Sequence, residues 1–322
     1  MFRRHFARVA AVAIAAAAAL GSKPSRAATP EIWFGPLHAY NNQFHGRVGV
    51  SDFQDLFQPD APWKKAASDI QVFEIGVPYM RTASDDDLRQ VFAFLKHRHI
   101  ALAIGLGLLP NNSRCPHVEG QDNDQLKIAQ RFKSLGGEVA FFSADSPLEV
   151  GYANPTPGCN LPTEILAQQA AETARAIRSV FPNVQFIDVD PVSNFKEPDV
   201  PRLISRWHAD FAATFGEPFA NFRFDIDWHS PWQQRVLSIY NQMQRDHVPV
   251  QVYCDGTGTD LTDAAWIAAG KTHCAQFVKL TGSEPQAFLL DSWLPHPNHA
   301  LPESDPNSFT HMILDFAGHP PR

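Results

Sequence analysis

Residues 184–228, VQFIDVDPVSNFKEPDVPRLISRWHADFAATFGEPFANFRFDIDW, contain one complete strand–helix–strand repeat. Its two outer segments, VQFIDVD and FRFDIDW, are rich in the aromatic and β-branched residues that favour strands. Between them, VPRLISRWHADFAATF spaces its apolar residues three and four positions apart, as an amphipathic helix does. A strand, a crossover helix and a second strand predict a parallel sheet covered by helices.

The same alternation runs along the chain from residue 32. The predicted strands are 32–37, 70–76, 100–109, 138–145, 184–190, 222–228, 248–255 and 286–293. Candidate helices lie between them; one follows a capping Ser84, and another stops before Gly136. Eight βα repeats in about 290 residues predict a single (β/α)₈ TIM barrel, closed by a last helix in NSFTHMILDF. A doubly wound open sheet is the alternative, but no G-x-G-x-x-G or Walker loop follows the first strand.

The N-terminus has the pattern of an export signal. Arg3 and Arg4 precede an apolar run, 9–20, that is too short to span a bilayer, and the small-residue site 25–27 follows. The RRHF segment also resembles the core of a twin-arginine signal. We therefore predict that residues 1–27 are a cleavable signal peptide and that 28–322 form the catalytic barrel of a periplasmic or secreted protein. An uncleaved anchor is the alternative.

Composition limits the partners. The sequence is 44% hydrophobic and 19% charged, which is typical of a soluble globular protein. The formal net charge of -7, without a long basic run after the N-terminus, argues against nucleic acid. We expect a monomer that binds a neutral or weakly charged ligand, needs no cofactor or metal, and has no stable membrane insertion after signal cleavage.

The chain has four cysteines, an even number that suggests disulfides in an exported protein. Cys115 and Cys159 fall in loops rich in Pro, Asn and Gly, so we predict that they pair. Cys254 lies on an apolar predicted strand, and either it pairs with Cys274 or it is simply buried.

Acidic residues collect at the predicted strand ends, where the active site of a TIM barrel lies. They are Glu74, Asp145, Asp188, Asp190, Asp225, Asp227, Asp255 and Asp291. Asp is also common as a helix cap after a strand, but strands 4 to 8 all end in Asp. Carboxylates that converge on one pocket must share protons, bind cations or have pKa values pushed apart, and each arrangement supports chemistry.

Aromatic and amide side chains accompany these acids, a combination that suits a sugar. Ring faces stack on the apolar faces of sugars, and carboxylates and amides bind the hydroxyls. The residues predicted to bind substrate are Glu74, Asp255, Asp291, Trp228, Trp293, Tyr79, Asn194, His229 and Trp33. Core packing is the alternative for each of these aromatic residues.

The strand-end motifs FFSADSPLE, FIDVDP, FDIDWH and LLDSW resemble those of exported (β/α)₈ glycoside hydrolases. FDIDW is similar to the chitinase signature DxDxE, but His229 follows Trp228 where that signature has Glu, so chitinase chemistry is not implied. Some barrel glycosidases use Asp at the ends of strands 4 and 6, which the resemblance maps onto Asp145 and Asp227. Others use Glu on strands 4 and 7, where this chain has Asp145 and Asp255.

Glycoside hydrolysis needs two carboxyl groups, about 5 Å apart in retaining enzymes and about 6.5–9.5 Å apart in inverting ones. Because neighbouring strands lie about 4.8 Å apart, strands 4 to 6 can supply either separation. We predict that the catalytic residues are Asp227 together with Asp145 or Asp190. Arg223, two residues before Asp225, is predicted to neutralise Asp225 inside the barrel.

Two other functions stay open. A metal-dependent sugar isomerase or hydrolase would use Glu74, Asp145, Asp190, Asp227 and His229 as ligands, although no HExxH motif is present. A glycan-binding barrel without catalysis would keep the groove and lack the working acid pair.

Overall fold

A computed structural model describes residues 29–110, 124–153, 160–193, 195 and 199–319. The strands in these residues are β1 (Glu31–Pro36), β2 (Tyr40–Asn42), β3 (Gly46–Val48), β4 (Val72–Gly76), β5 (Ala101–Leu106), β6 (Val139–Asp145), β7 (Gln185–Pro191), β8 (Asn221–Asp225), β9 (Val250–Tyr253) and β10 (Ala287–Ser292). The α-helices are α1 (Lys64–Asp69), α2 (Val77–Thr82), α3 (Asp85–Arg98), α4 (Gln125–Ser134), α5 (Thr163–Val180), α6 (Val200–Phe215), α7 (Gln233–Arg245), α8 (Asp263–Thr281) and α9 (Phe309–Gly318).

Eight strands close into a parallel barrel in the order β1-β10-β9-β8-β7-β6-β5-β4. Helices separate consecutive barrel strands along the chain, so the predicted (β/α)₈ TIM barrel is confirmed. The remaining two strands, β2 and β3, form a small antiparallel hairpin between β1 and β4. Sequence analysis did not predict this hairpin, because each of its strands has only three residues.

Local signals position the helices as expected. Before α3, the Ser84 hydroxyl accepts the Asp87 N–H at 3.1 Å, and the Asp87 carboxylate accepts the Ser84 N–H at 3.3 Å. This capping box satisfies N–H groups that have no partner inside the helix. Helix α4 ends at Ser134, and Gly136 then adopts φ +89°, which the Cβ of other residues disfavours.

The hydrophobic core has two layers. The larger layer lies between the barrel and its helices, where α6 contributes Leu203, Trp207 and Phe211. The smaller layer lies inside the barrel and consists of Trp33, Val72, Ala103, Ile187, Val189, Tyr253, Ala287 and Leu289. Because side chains alternate along a strand, this inner layer shows which residues of each strand face the barrel axis.

Strand β8 ends three residues earlier than predicted. Asp225 is its last residue, and Asp227 lies in a turn closed by the Ser230 N–H, which donates to the Asp227 carbonyl at 3.0 Å. The expected strand 222–228 was therefore too long, and Asp227 is an exposed loop residue.

A disulfide joins Cys254, just after β9, to Cys274 in α8, with 5.4 Å between the Cα atoms. The suggested Cys254–Cys274 pair is thus confirmed. The predicted Cys115–Cys159 pair and the predicted signal peptide lie outside the described residues. In the part of the chain that the structure describes, no helix is both long and apolar enough to cross a membrane.

Candidate active site

A pocket of about 650 Å³ opens at the carboxyl ends of the barrel strands. Its acidic residues are Glu74, Asp145, Glu149, Asp225 and Asp291, and its aromatic residues are Tyr40, Phe44, Tyr253 and Trp293. We call it the central pocket. The structure thus brings together four predicted site acids or binding residues, Glu74, Asp145, Asp291 and Trp293, with Asp225 beside them.

Small residues make room for this pocket. Gly35 and Gly105 occupy positions where a side chain would enter the barrel interior. A Cβ at Gly35 would lie 2.9 Å from Asp291 Oδ2, and a Cβ at Gly105 would lie 3.1 Å from Glu74 Oε1. The carboxyl groups therefore use the space that these two glycines leave, and a Cβ at either position would displace the neighbouring carboxylate.

Arg223 holds the floor of the pocket together. Its Nη1 donates to Glu74 Oε1 and Oε2 at 3.1 and 3.0 Å and to Ser143 Oγ at 3.1 Å. Its Nε donates to Gln251 Oε1 at 2.9 Å. Since Arg223 is fully buried, this network offsets a charge that would otherwise be very costly. The predicted pairing of Arg223 with Asp225 is wrong: the guanidinium pairs with Glu74, across the barrel interior.

Asp225 instead faces the central pocket, and its carboxyl has an unusual pKa. Burial, which is the largest cause, and the negative charges of Asp145, Asp227 and Glu149 together raise the pKa from 3.8 to about 7. A carboxyl group with a pKa near neutrality can hold a proton and release it during a reaction. Sequence analysis had given this residue a structural role.

Asp291 is a second perturbed carboxyl in the pocket. Burial raises its pKa well above the ordinary value, and the nearby charge of Glu74 adds to the effect. Its Oδ1 is buried and has no hydrogen-bonding partner among the described residues. An unsatisfied buried oxygen at a pocket wall can bind a polar group of a ligand.

A smaller hollow of about 260 Å³ lies beside the central pocket, next to the ends of β8 and β9. We call it the rim hollow. Its polar and aromatic residues include Asp227, Trp228, His229, Asp255, Thr257 and Trp293. Asp225 and Trp293 line both the rim hollow and the central pocket, so the two spaces share a wall.

Trp228 and Asp255 form the rigid part of the rim hollow. The indole Nε1 donates to Asp255 Oδ1 at 2.7 Å, and the indole ring stacks on His273 with 4.5 Å between ring centroids. Asp255 is only 5% exposed, and burial raises the pKa of its carboxyl well above the ordinary value. The hydrogen bond from Trp228 lowers the pKa of Asp255, but by less than burial raises it.

Asp190 lies outside both spaces. On β7, Ile187 and Val189 point into the barrel, so Asp190 faces the surrounding elements, where Oδ1 accepts the Glu149 N–H at 2.9 Å. Burial, together with the charge of Asp188, raises its pKa. Asp188 faces the same way, and its Oδ2 lies 2.9 Å from His208 Nε2 on α6. We therefore withdraw Asp190 as a catalytic candidate.

Two predicted sugar-binding aromatics are packed in cores. Trp33 lies inside the barrel, with the Arg223 guanidinium carbon 5.1 Å from its ring centroid. Tyr79 packs against Phe53 at 4.5 Å and donates from its hydroxyl to Gln54 Oε1 at 2.6 Å. Neither lines the pocket or the hollow, so the core-packing alternative describes both. Asn194 lies outside the described residues.

Sequence analysis missed several residues that line the central pocket. Ser143 and Tyr253 each stand two positions before a predicted acid, Asp145 and Asp255, and strand alternation could have identified both. Phe44, at the tip of the β2–β3 hairpin, is 70% exposed at the pocket wall. No simple sequence signal distinguished it from an ordinary loop residue.

Metal ligation requires several donors at one point. Among the described residues, no group of three or more His, Cys, Asp or Glu side chains has the geometry to hold a metal ion.

No protein-family profile matches the sequence, and no curated protein matches it. Solved structures do match. The catalytic core of xylanase A is similar with a TM-score of 0.52 and 12% identity, covering 90% of this chain and 98% of that one. D-Psicose 3-epimerase from Clostridium cellulolyticum H10 is similar with a TM-score of 0.45 and 13% identity, covering 89% of this chain and 98% of that one. A probable tagatose 6-phosphate kinase from Sinorhizobium meliloti 1021 is similar with a TM-score of 0.46 and 13% identity, covering 81% of this chain and 64% of that one.

The match to xylanase A, at 12% identity, shows the barrel fold alone, because barrels of one shape support many reactions. The chain also spans less than two thirds of the kinase's length. The function therefore depends on the side chains of the site.

Proposed function

We propose that this protein is a glycoside hydrolase that cleaves a neutral oligosaccharide, with Asp225 as the general acid and Asp145 as its carboxylate partner. The observation that carries the proposal is Asp225, a carboxyl with a pKa near 7 in a pocket lined by four other acids. Paired carboxyl groups with different environments are what glycoside hydrolysis requires.

In the proposed reaction, Asp225 donates its proton to the glycosidic oxygen while the bond from that oxygen to the anomeric carbon breaks. The Asp145 carboxylate either attacks the anomeric carbon or takes a proton from the water that does so. In the first case water later releases the sugar, and Asp225 then accepts the proton from that water. In the second case Asp145 ends protonated and Asp225 ionised, and proton exchange with solvent restores the starting state.

Asp145 is the favoured partner for three reasons. It is an inner-face residue at the end of β6, it is exposed in the central pocket, and its charge contributes to the raised pKa of Asp225. One strand, β7, separates β6 from β8, and strands lie about 4.8 Å apart. Side chains that lean toward the barrel axis can bring the carboxyl groups within the range of either mechanism. Asp227, the predicted partner, lines only the rim hollow.

The surroundings of the acids suit a sugar. Trp293 and Tyr253 stand edge to face with their ring centroids 5.5 Å apart, and both line the central pocket. Aromatic rings bind the apolar faces of sugars, and the carboxyl oxygens of Glu74 and Asp291 accept hydrogen bonds from hydroxyl groups. The xylanase match is consistent with this substrate class but does not select a sugar.

The proposal is tested by a substrate screen. Mature protein would be incubated with xylotetraose, cellotetraose, mannotetraose, chitotetraose and tetragalacturonate, and products would be followed by chromatography and by NMR of the anomeric proton. We expect turnover of a neutral tetraose and a loss of 10²–10⁴-fold in Asp225→Asn, the usual contribution of general acid catalysis. Binding of a tetraose without any product would refute hydrolysis and indicate a glycan-binding barrel.

We also propose that the protein is exported. The paired arginines and apolar run of residues 1–27 support this proposal, and the Cys254–Cys274 disulfide is typical of oxidising compartments. Mass spectrometry of protein from the periplasm and the medium should show a chain that begins near residue 28. Recovery of only the full-length chain, with Met1, would contradict signal cleavage.

A further inference from the structure

We infer that the rim hollow binds the leaving group of the substrate, a neutral sugar unit, and that the scissile bond lies over Asp225. This inference rests on the proposed hydrolase function and adds to it the direction in which the substrate lies. Two cavities lie on either side of one carboxyl group, that of Asp225.

Asp225 lines both the central pocket and the rim hollow, as does Trp293. A general acid must lie within hydrogen-bonding reach of the oxygen that joins the two halves of the substrate. A substrate that occupies both cavities therefore crosses from one to the other beside Asp225. Its glycosidic oxygen would lie at this boundary.

The position of Asp145 determines which end of the substrate lies in which cavity. The second carboxylate must face the anomeric carbon, and Asp145 lines the central pocket but not the rim hollow. The sugar that carries the anomeric carbon therefore binds in the central pocket. The group that leaves with the glycosidic oxygen then extends into the rim hollow.

The walls of the rim hollow match a sugar better than an apolar leaving group. Asp227, Asp255 and Thr257 supply oxygen atoms for hydroxyl groups, and the rings of Trp228 and Trp293 supply apolar surface. The hydrogen bond and ring stack on Trp228 fix these walls before substrate arrives. Preformed walls reduce the entropy cost of binding.

Gly258 gives a way to block the hollow. It is an exposed hollow-lining residue in a turn where the Asp260 carboxylate accepts the Thr257 N–H at 2.7 Å, and an added Cβ would meet nothing within 4 Å. Gly258→Trp should therefore fold and place a large ring at the hollow. Gly318→Trp is the matched control, because Gly318 is also exposed with open space around it and lies in α9.

The experiment compares two substrates for each variant. One is the tetraose that wild-type protein hydrolyses fastest, and the other is the glycosyl fluoride of the same sugar, whose small leaving group does not need the hollow. In Gly258→Trp, kcat/KM for the tetraose should fall about tenfold or more relative to kcat/KM for the fluoride. Gly318→Trp should match wild type on both substrates.

Asp227→Ala is a second variant, since this exposed side chain lines only the rim hollow. At pH 5, where Asp225 holds its proton with or without the Asp227 charge, this variant should lower the ratio of kcat/KM for the tetraose to kcat/KM for the fluoride. An unchanged ratio in both variants, with wild-type circular dichroism, would overturn the inference and leave hydrolysis intact. An equal fall on both substrates in Asp227→Ala would also overturn it, because Asp227 would then act in the chemistry.

Failure of the proposed function would look different. If wild-type protein cleaves none of the tetraoses and none of the matching fluorides, the hydrolase proposal fails. Calorimetry of the tetraoses then tests the hollow directly. Weaker tetraose binding by Gly258→Trp than by Gly318→Trp would support a sugar site there, whereas equal binding or no binding by wild type would overturn it.

Discussion

Replacing Asp225 with Asn should destroy activity and, at the same time, stabilise the fold at alkaline pH. The carboxyl has a pKa of about 7 in the folded protein against an ordinary value of 3.8. A raised carboxyl pKa means that folding opposes ionisation, so the folded state loses stability as pH rises from about 4 to about 7. Asn has a similar shape and does not ionise, so the variant avoids this loss.

The size of the effect follows from the two pKa values. Each pKa unit is worth about 1.4 kcal/mol, so a change from 3.8 to about 7 corresponds to at most about 4 kcal/mol. Asp225 lines an open pocket, where water reduces the cost of the charge. We therefore expect Asp225→Asn to be ~1–2 kcal/mol more stable than wild type at pH 8. At pH 4 the difference should be close to zero.

Urea denaturation followed by tryptophan fluorescence measures the difference in the free energy of unfolding between Asp225→Asn and wild type at pH 4 and at pH 8. Asp227→Asn is the matched control, because Asp227 is a neighbouring but exposed loop residue and its replacement should change stability by less than about 0.5 kcal/mol. A stability difference for Asp225→Asn that is absent at pH 8, or equal at the two pH values, would refute the raised pKa. Activity is measured on the same samples, and the free enzyme's kcat/KM should fall above a pKa near 7 as Asp225 loses its proton.

Three further substitutions test the site and its support. Glu74→Gln leaves Arg223 buried without its partner and should lower stability by about 3–5 kcal/mol in urea denaturation; a loss below about 1 kcal/mol would show that the pair is not needed. Cys274→Ser, which removes the bond to Cys254, should cost about 2–4 kcal/mol, and wild type in reducing agent should show the same loss. Asp145→Asn should lower kcat by 10²-fold or more while tetraose affinity by calorimetry stays within about threefold; wild-type kcat would remove Asp145 from the mechanism.

The barrel could be predicted from sequence because its signal repeats eight times. Each strand is a short apolar run, each helix has its own period and caps, and one error does not change the class of fold. The residue at which each strand ends was harder to predict. In FRFDIDW the strand pattern continues to Trp228, yet pairing with β7 stops at Asp225, opposite Pro191. Where a strand stops depends on its neighbour, and one segment alone does not contain that information.

Sequence analysis also could not tell which of the two alternating sets of side chains on a strand points into the barrel. A barrel strand is buried on both faces, so the polar-apolar alternation that marks a half-buried strand is lost. In FIDVD, either Asp188 and Asp190 or Ile187 and Val189 could point inward, and the structure has the second arrangement. The acids are tolerated on the outer face because His208 lies beside Asp188 and the Glu149 N–H donates to Asp190.

The charge balance of the central pocket favours a neutral sugar over an anionic one as substrate. Among the residues that the structure describes, five acids line it, and the buried cation Arg223 beneath it is bound to Glu74. Arg81 also lines the pocket, and its guanidinium makes two hydrogen bonds to Asp124, at 2.9 and 3.0 Å. An anionic sugar would therefore meet the negative charges of Asp145 and Glu149 that raise the pKa of Asp225, and repulsion would oppose its binding. A neutral sugar avoids this repulsion and offers hydroxyl donors to the same carboxyl oxygens. The acids that raise the pKa of Asp225 thus also favour an uncharged substrate. Substrate selectivity and the raised pKa of the proton donor therefore have the same electrostatic cause.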